Sequence, residues 1–187
     1  QELILMGQIY AALVDLARDI LAIHSPSQQR EPNAGELLRR ALRYQHKDGL
    51  DRIFLLLRFL YPSSAIQAAA YCLQSDHSSN IARGIEILDN TLDIPHKQAV
   101  LTIVDRRIDQ EKLEALSELI TYTPMLPGER LRDLVELRHF LDDWPLACCF
   151  HLAREARWSL TPEHTLACIR HPTDFVREAV LSYLTVA

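Results

Sequence analysis

The chain has 187 residues, 48% of them hydrophobic and 24% charged, a composition that excludes an intrinsically disordered chain. Its formal net charge of −5 offers no overall positive field to phosphates, which disfavours nucleic-acid binding. Only 5 glycines occur, and the 9 prolines fall between periodic apolar segments, as is typical of short helices joined by tight turns.

The N-terminal part of the chain is predicted to be one helix followed by a polar loop. Apolar side chains recur every three or four residues from Leu3 to Leu21, which predicts an amphipathic helix. The stretch Ser25–Pro32 is the longest polar interruption, and it predicts a flexible loop. We therefore divide the chain into an N-terminal helix and loop, residues 1–32, and one continuous helical-repeat region, residues 33–187.

A second helix is predicted to begin at Asn33, because Asn is a favoured N-cap and Glu36 completes a capping-box pattern. This helix runs to about Lys47, where Asp48-Gly49 predicts a break. Further helical segments follow, most of them opened by a proline or by capping residues: Leu50–Tyr61, Ala65–Gln74, Ile81–Leu92, His96–Val104, Gln110–Tyr122, Glu129–Leu141, Leu146–Arg157, Glu163–Arg170 and Asp174–Leu184. No segment alternates as a strand would, so the predicted fold class is all-α, with about eleven helices.

The most hydrophobic stretch is Ile53–Cys72, IFLLLRFLYPSSAIQAAAYC. A membrane-spanning helix needs about 20 apolar residues. The longest uncharged run, Phe59–Ser75, has seventeen residues and is interrupted by Pro62. We therefore predict two helices here instead of a membrane span. Since the first is apolar nearly all round and the second has a face of small residues, we expect this hairpin to be the most buried part of the fold.

The order of the helices favours a particular all-α architecture. They are too short for a four-helix bundle, and short antiparallel pairs joined by tight turns favour a HEAT-like α-solenoid. Asn80–Leu88 and Asp174–Leu184 both place an Arg after a small apolar pair at a helix start, and they lie 94 residues apart, which fits two or three HEAT-like repeats. The second of these segments, DFVREAVLSYL, resembles the second helix of a HEAT repeat.

A more particular resemblance covers Leu50–Asp93. Its segments Arg52–Pro62, Ala69–Asp76 and Gly84–Leu92 are RIFLLLRFLYP, AAYCLQSD and GIEILDNTL. They are similar to the soluble HEAT-like region of bacterial, notably cyanobacterial, proteins related to the ATP/ADP carrier and to major-facilitator transporters. This chain has no transporter helices, so the resemblance implies an appended domain, or a stand-alone relative, without transport activity of its own.

The resemblance also implies a location on the cytoplasmic side, with any membrane attachment supplied by a segment outside this chain. Gln1–Tyr10 lacks the basic start and the small-residue cleavage site of a secretory signal. The chain begins with Gln instead of Met, and we expect it to be an excerpt of a longer protein.

Residues that could carry chemistry are few. None of the cysteines forms a C-x-x-C pair, so we expect free thiols in a reducing compartment: Cys72, Cys148, Cys149 and Cys168. His164 lies four residues before the last of them, yet no third ligand has matching register, and no metal is expected. Neither a G-x-S-x-G elbow nor a glycine-rich phosphate loop occurs, so we predict no catalytic residue and no cofactor.

Six residues form the predicted interaction surface: Arg83, Asp89, Asn90, Trp144, Trp158 and Arg177. A structural role competes with this interpretation at each of them. Asn90 or Asp93 could end one helix or cap the next, and the two arginines could bond to an acid or carbonyl of a neighbouring repeat. The two tryptophans stand where a hydrophobic staple would fix the start of a helix.

The sequence is most compatible with a non-catalytic protein-interaction or regulatory domain, which binds a protein partner of unknown identity. One alternative is an enzyme, a HEAT-like phycobilin lyase or isomerase, which requires a groove for a tetrapyrrole. A second alternative is a HEAT-like nucleic-acid-binding module, which requires a basic concave face that the overall acidic charge disfavours.

Overall fold

The structure, a computed structural model, describes residues 1–23 and 33–186, and the side chains of all of these except 18–23. Within these ranges the chain forms ten helices and no strand, which confirms the predicted all-α class. The helices are α1 Glu2–Ile23, α2 Ala34–Leu60, α3 Ser63–Leu73, α4 Ser78–Thr91, α5 Lys97–Val104, α6 Asp109–Ala115, α7 Pro127–Glu136, α8 Asp143–Ala156, α9 Pro162–Ile169 and α10 Asp174–Leu184.

The predicted break at Asp48-Gly49 is wrong, because α2 continues through it as one helix of 27 residues. Gly49 is buried, and a Cβ built on it would lie 3.1 Å from the terminal methyl of Met6 in α1. The missing side chain leaves room for the flexible end of the Met6 side chain and does not mark a turn. A glycine inside a helix costs about 1 kcal/mol relative to alanine, which packing can offset.

The start of α2 agrees with the predicted cap. The Asn33 side-chain oxygen accepts a hydrogen bond of 2.7 Å from the backbone N–H of Glu36. The Glu36 carboxylate in turn pairs with Arg39 at 3.3 Å and with Arg40 at 3.1 Å. The predicted loop Ser25–Pro32, and with it the predicted boundary between residues 32 and 33, lies outside the described residues.

Two predicted helices end earlier than their apolar periodicity suggests. α6 stops at Ala115, where Leu116 N–H donates to the carbonyl of Leu113, three residues back. α7 stops at Glu136, and Arg138 N–H donates to the carbonyl of Val135 in the same way. Such bonds tighten the last turn of a helix and satisfy carbonyls that would otherwise lack a donor.

The described helices divide into two compact units, each of which contains part of α1 and part of α2. The first unit consists of Gln1–Tyr10 and His46–Tyr122. Within it α3 and α4 form a closely packed hairpin: a Cβ on Gly84 would lie 3.0 Å from the Ala69 carbonyl oxygen and 2.9 Å from Leu73 Cγ. This hairpin is the clearest helix pair of the first unit.

The second unit consists of Ala11–Gln45 and Thr123–Ala187. In this unit α8 is buried along most of its length, and its Phe150 ring meets Tyr183 of α10 edge-on at 6.1 Å. The Tyr183 hydroxyl accepts a 2.8 Å hydrogen bond from the backbone N–H of Leu160, which ties the turn before α9 to α10. Buried Gln45 donates to the Phe140 carbonyl at 2.7 Å.

The expectation that Ile53–Cys72 forms the most buried hairpin is wrong. Ile53, Leu57, Ile66 and Ala69 are buried, but several of the large apolar side chains between and beside them are more than half exposed. A helix buries only the stripe that faces its neighbours, so an apolar residue on every side leaves some of them in water. No helix in the described ranges is both long and apolar enough to cross a membrane.

Candidate interaction surface

Five large side chains on α2 and α3 form what we call the α2–α3 apolar surface. They are Leu55, Leu56, Phe59, Leu60 and Tyr71, with exposed fractions of 52%, 55%, 80%, 70% and 80%. At about 100° per residue, Leu55 and Phe59 lie on the side of α2 away from buried Ile53 and Leu57, whereas Leu56 and Leu60 lie beside that buried stripe. Single exposed apolar residues are ordinary on a protein surface, whereas a contiguous group is a mark of an interaction site.

A groove of about 520 Å³ runs between α2 and α3 beside this surface. Phe54 and Leu55 of α2 line it on one side, and Ile66 and Tyr71 of α3 line it on the other. Most of its wall is apolar. The groove is therefore shaped and lined to receive a side chain or a helix ridge of another polypeptide.

A second groove, of about 360 Å³, extends the apolar character along α2. It is lined by Leu56 and Leu57 of α2, Leu3 of α1, Ile94, and Val100 of α5. Leu56 thus contributes both to this groove and to the α2–α3 apolar surface.

Opposite charges stand at the two ends of the α2–α3 groove. Asp51 and Arg58 both line it and both are exposed. Arg58 Nε donates to the Ser63 hydroxyl at 3.3 Å, and neither charge has an ion-pair partner among the described residues. Arg52, which also lines the groove, pairs with Glu2 at 3.4 Å. The uncompensated charges are therefore one acid and one base, seven residues apart on one helix.

Three of the six predicted surface residues belong to the first unit, on α4. Arg83 and Asn90 are exposed. Asp89 pairs with Lys97 at 2.8 Å, and its backbone carbonyl accepts a second bond from the same ammonium group at 3.0 Å. Just beyond α4, the Tyr61 hydroxyl donates to the Asp93 carbonyl at 3.0 Å. The polar stretch around Asp89 thus has local structural partners.

The other three predicted residues belong to the second unit. Trp144 is 49% exposed and meets Phe175 edge-on at 6.1 Å. Trp158 packs on Gly128, where a Cβ would lie 3.3 Å from the indole ring. Arg177 donates to the carbonyls of His171 at 2.8 Å and Pro172 at 2.9 Å, both of which directly precede its own helix α10.

None of the six predicted residues lies on the α2–α3 apolar surface, because Ile53–Cys72, the segment that carries this surface, was predicted to be buried. A usable signal was nevertheless present. Between Ile53 and Leu60 every residue except Arg58 is apolar, which is more than one buried stripe of a helix can take up. The use of the six as an interaction surface stays a prediction.

Three of the four thiols, those of Cys148, Cys149 and Cys168, are unsuited to nucleophilic chemistry. Burial raises the pKa of Cys148 to about 11. Burial also raises the pKa of Cys149, with Cys148 and Cys168 adding to the effect, and it raises the pKa of Cys168. The attacking form of cysteine is the thiolate, so these groups are inert at neutral pH.

Metal ligands do not converge in the part of the chain that the structure describes. No group of three or more His, Cys, Asp or Glu side chains in these ranges could hold a metal ion. His164, the one histidine that the sequence placed in register with a cysteine, has a buried Nδ1 without a hydrogen-bond partner among the described atoms.

No model of a known protein family matches the chain, and no curated protein or solved structure matches it. The similarity of Leu50–Asp93 to HEAT-like, transporter-related proteins therefore stays a prediction. The function proposed for this chain therefore rests on the side chains that the described residues expose to solvent.

Proposed function

We propose that this chain is a non-catalytic protein-interaction module that binds another polypeptide through the α2–α3 apolar surface. The observation that carries the proposal is the grouping of five large apolar side chains, each more than half exposed, beside an apolar groove. Phe59 and Tyr71, the most exposed of them, are aromatic, and aromatic side chains dominate the binding energy of protein interfaces.

The favourable free energy of binding would come from removing this apolar surface from water. Apolar surface gains about 25 cal/mol for every Å² that is removed from water. Burying an aromatic side chain removes about 150–250 Å². Since Phe59 and Tyr71 are each 80% exposed, most of that gain is still available to a partner. Arg58 and Asp51 at the ends of the groove would orient the partner more than they would strengthen its binding.

The HEAT-like solenoid arrangement is part of this proposal. It is supported by the antiparallel α3–α4 hairpin, in which Gly84 and Ala69 allow close backbone approach, as stacked helix pairs require. The relation to transporter-associated domains, with a cytoplasmic location, is proposed on the resemblance of Leu50–Asp93 alone. Sequencing of the complete reading frame tests that relation: flanking apolar segments of about 20 residues would support it, and their absence would contradict it.

Site-specific photo-crosslinking tests the proposed binding surface. Benzoylphenylalanine would replace Phe59 in one variant and Ile108 in another, and both would be expressed in the cells that make the protein. Ile108 is a matched control, because it is 66% exposed but lies at the start of α6. We expect protein adducts from position 59 and few from position 108.

The adducts also identify the partner. An adduct at position 59 with any polypeptide, including a second copy of this chain, supports the proposed function. The proposed function would be overturned if position 59 gave no protein adduct, or only the adducts that position 108 also gives.

A further inference from the structure

We infer that the occupant of the α2–α3 apolar surface is a second copy of this chain, with the two α2 helices packed antiparallel about a twofold axis near Leu55. This inference rests on the proposed function, since it names the partner of the same surface. It is carried by the placement of the charges on α2 and by the size of the apolar surface between them.

Asp51, Leu55 and Arg58 stand at positions i, i+4 and i+7 of α2, and they therefore share one stripe of the helix. All three line the α2–α3 groove. At a rise of 1.5 Å per residue, the acid and the base lie about 10 Å apart along the axis, with Leu55 between them. The stripe has an acid at one end, a base at the other and an apolar centre.

Such a stripe is complementary to itself only when it is inverted. A twofold axis near Leu55 places Asp51 of each copy opposite Arg58 of the other and brings the two Leu55 side chains together. A parallel pair would instead place like charges opposite each other, which is unfavourable. Arg52 does not disturb this pattern, because its charge is already paired with Glu2. The charges thus select a symmetric antiparallel dimer.

The apolar side chains near the charged stripe supply a substantial part of the area that such a dimer needs. Each partner in a standard interface buries about 800 Å². Phe59 and Tyr71 are each 80% exposed, so at about 150–250 Å² for a whole aromatic side chain they supply roughly 240–400 Å². Leu55, which is 52% exposed and lies between the two charges, adds to this area, whereas Leu56 and Leu60 lie on another side of α2. The exposure of Leu55, Phe59 and Tyr71 in the single chain is explained if a second copy covers them.

Charge reversal tests the inference directly. Light scattering after size exclusion, together with sedimentation equilibrium, would give the mass of the 187-residue chain, and we expect twice the 21.4 kDa of a monomer. Asp51→Arg and Arg58→Asp should each weaken dimerisation about tenfold or more, because each places like charges across the axis. The double variant restores both pairs and should dimerise like the wild type.

Mixing the two single variants provides a rescue that a merely structural effect would not give. One then carries two bases and the other two acids, so both inter-chain pairs form and a heterodimer should appear. Arg83→Asp is the control: Arg83 is exposed on α4, away from the groove lining, and its reversal should leave the dimer unchanged.

Each possible outcome either supports or overturns the inferred dimer. A monomeric wild type at every concentration, or single variants that dimerise as tightly as the wild type, overturns the inference. An adduct at position 59 with a different protein, from a chain that is monomeric alone, overturns the second copy but leaves the proposed function standing. A wild-type dimer that is lost in both single variants and restored by mixing supports it.

Discussion

Arg130 Nε donates a hydrogen bond of 2.9 Å to Asp15 Oδ2, and both side chains are removed from water, at 5% and 0% exposure. The guanidinium also donates to the Thr123 carbonyl at 3.0 Å and to Asp133 at 3.2 Å. Asp15 accepts a further, longer bond from the backbone N–H of Met125 at 3.4 Å. The pair therefore connects α1 to the segment that leads into α7, within the second unit.

Removing one partner of this pair should be strongly destabilising. Asp15→Ala would leave the Arg130 charge buried without its main partner, and breaking a buried pair in this way costs about 3–5 kcal/mol. Asp105→Ala, which removes a partly exposed partner of Arg107, should cost about 1 kcal/mol or less. Urea unfolding of both variants measures the difference. Equal losses of unfolding free energy would contradict a special role for the buried pair.

Two adjacent leucines test the orientation of α2. Leu57 is 5% exposed and Leu56 is 55% exposed. Replacing a buried leucine by alanine costs about 2–5 kcal/mol, whereas replacing an exposed one typically changes stability by about 0.5 kcal/mol or less. Leu57→Ala should therefore unfold at much lower denaturant than Leu56→Ala. The comparison should be made at a protein concentration at which the chain is monomeric, so that association does not contribute. The reverse order would mean that the other side of α2 is the core face.

The sequence predicted helix content well because periodicity and caps are local properties. Asn33, for example, caps α2 by accepting a hydrogen bond from the backbone N–H of Glu36, only three residues away. Which stripe of an apolar helix is buried is decided by its neighbours, and the pattern of Ile53–Leu60 does not contain that information. The expectation that Ile53–Cys72 is buried therefore fails at Phe59, which is 80% exposed.

The buried pair could not be predicted for a related reason. Arg130 lies in ERLRDLVELRHFLDD, which resembles a solvated helix face with charges at most outward positions. Its acid, Asp15, is 115 residues away and lies within the apolar stripe of α1. Pairing at such separation is a property of the folded chain, and a single sequence does not reveal it.

Two helical glycines should respond oppositely to alanine. At Gly84 a new Cβ would lie 3.0 Å from the Ala69 carbonyl oxygen, and a backbone atom cannot move aside. Overpacking of this kind costs about 1–3 kcal/mol. At Gly49 the nearest atom is the end of the flexible Met6 side chain at 3.1 Å, so the helix-propensity gain of about 1 kcal/mol should largely remain. Thermal unfolding should show a lower Tm for Gly84→Ala alone. A lower Tm for both would indicate that α1 is too tightly packed against α2 to adjust.

The ionisation of Asp133 should weaken the fold. Desolvation raises the pKa of this carboxyl above its ordinary value of 3.8, against the lowering effect of Arg130. Because the folded pKa is the higher one, the native state resists losing this proton, and its stability falls as pH rises from about 3.8 through the raised pKa. The Asp133→Asn side chain cannot ionise, so this variant does not lose stability in this way as pH rises. Its unfolding free energy relative to the wild type should increase across that pH window and then level off. If the unfolding free energy of Asp133→Asn relative to the wild type decreased as pH rises, the raised pKa of Asp133 would be contradicted.

The Cys72 thiol should react with a thiol reagent faster than the three buried thiols. Cys72 is half-buried, whereas Cys148, Cys149 and Cys168 are buried. With its pKa raised to about 11, Cys148 is a thiolate at pH 8 in only about one molecule in a thousand. Ellman's reagent at pH 8 should therefore label one cysteine per native chain quickly and all of them after unfolding.

Substitution assigns the fast thiol. Cys72→Ser should abolish the fast phase, because the remaining three thiols are buried and each has a raised pKa. Cys168→Ser should leave the fast phase at one thiol per chain. A fast phase that survives Cys72→Ser would mean that the buried thiols reach solvent through local opening of α8 or α9, faster than their burial implies.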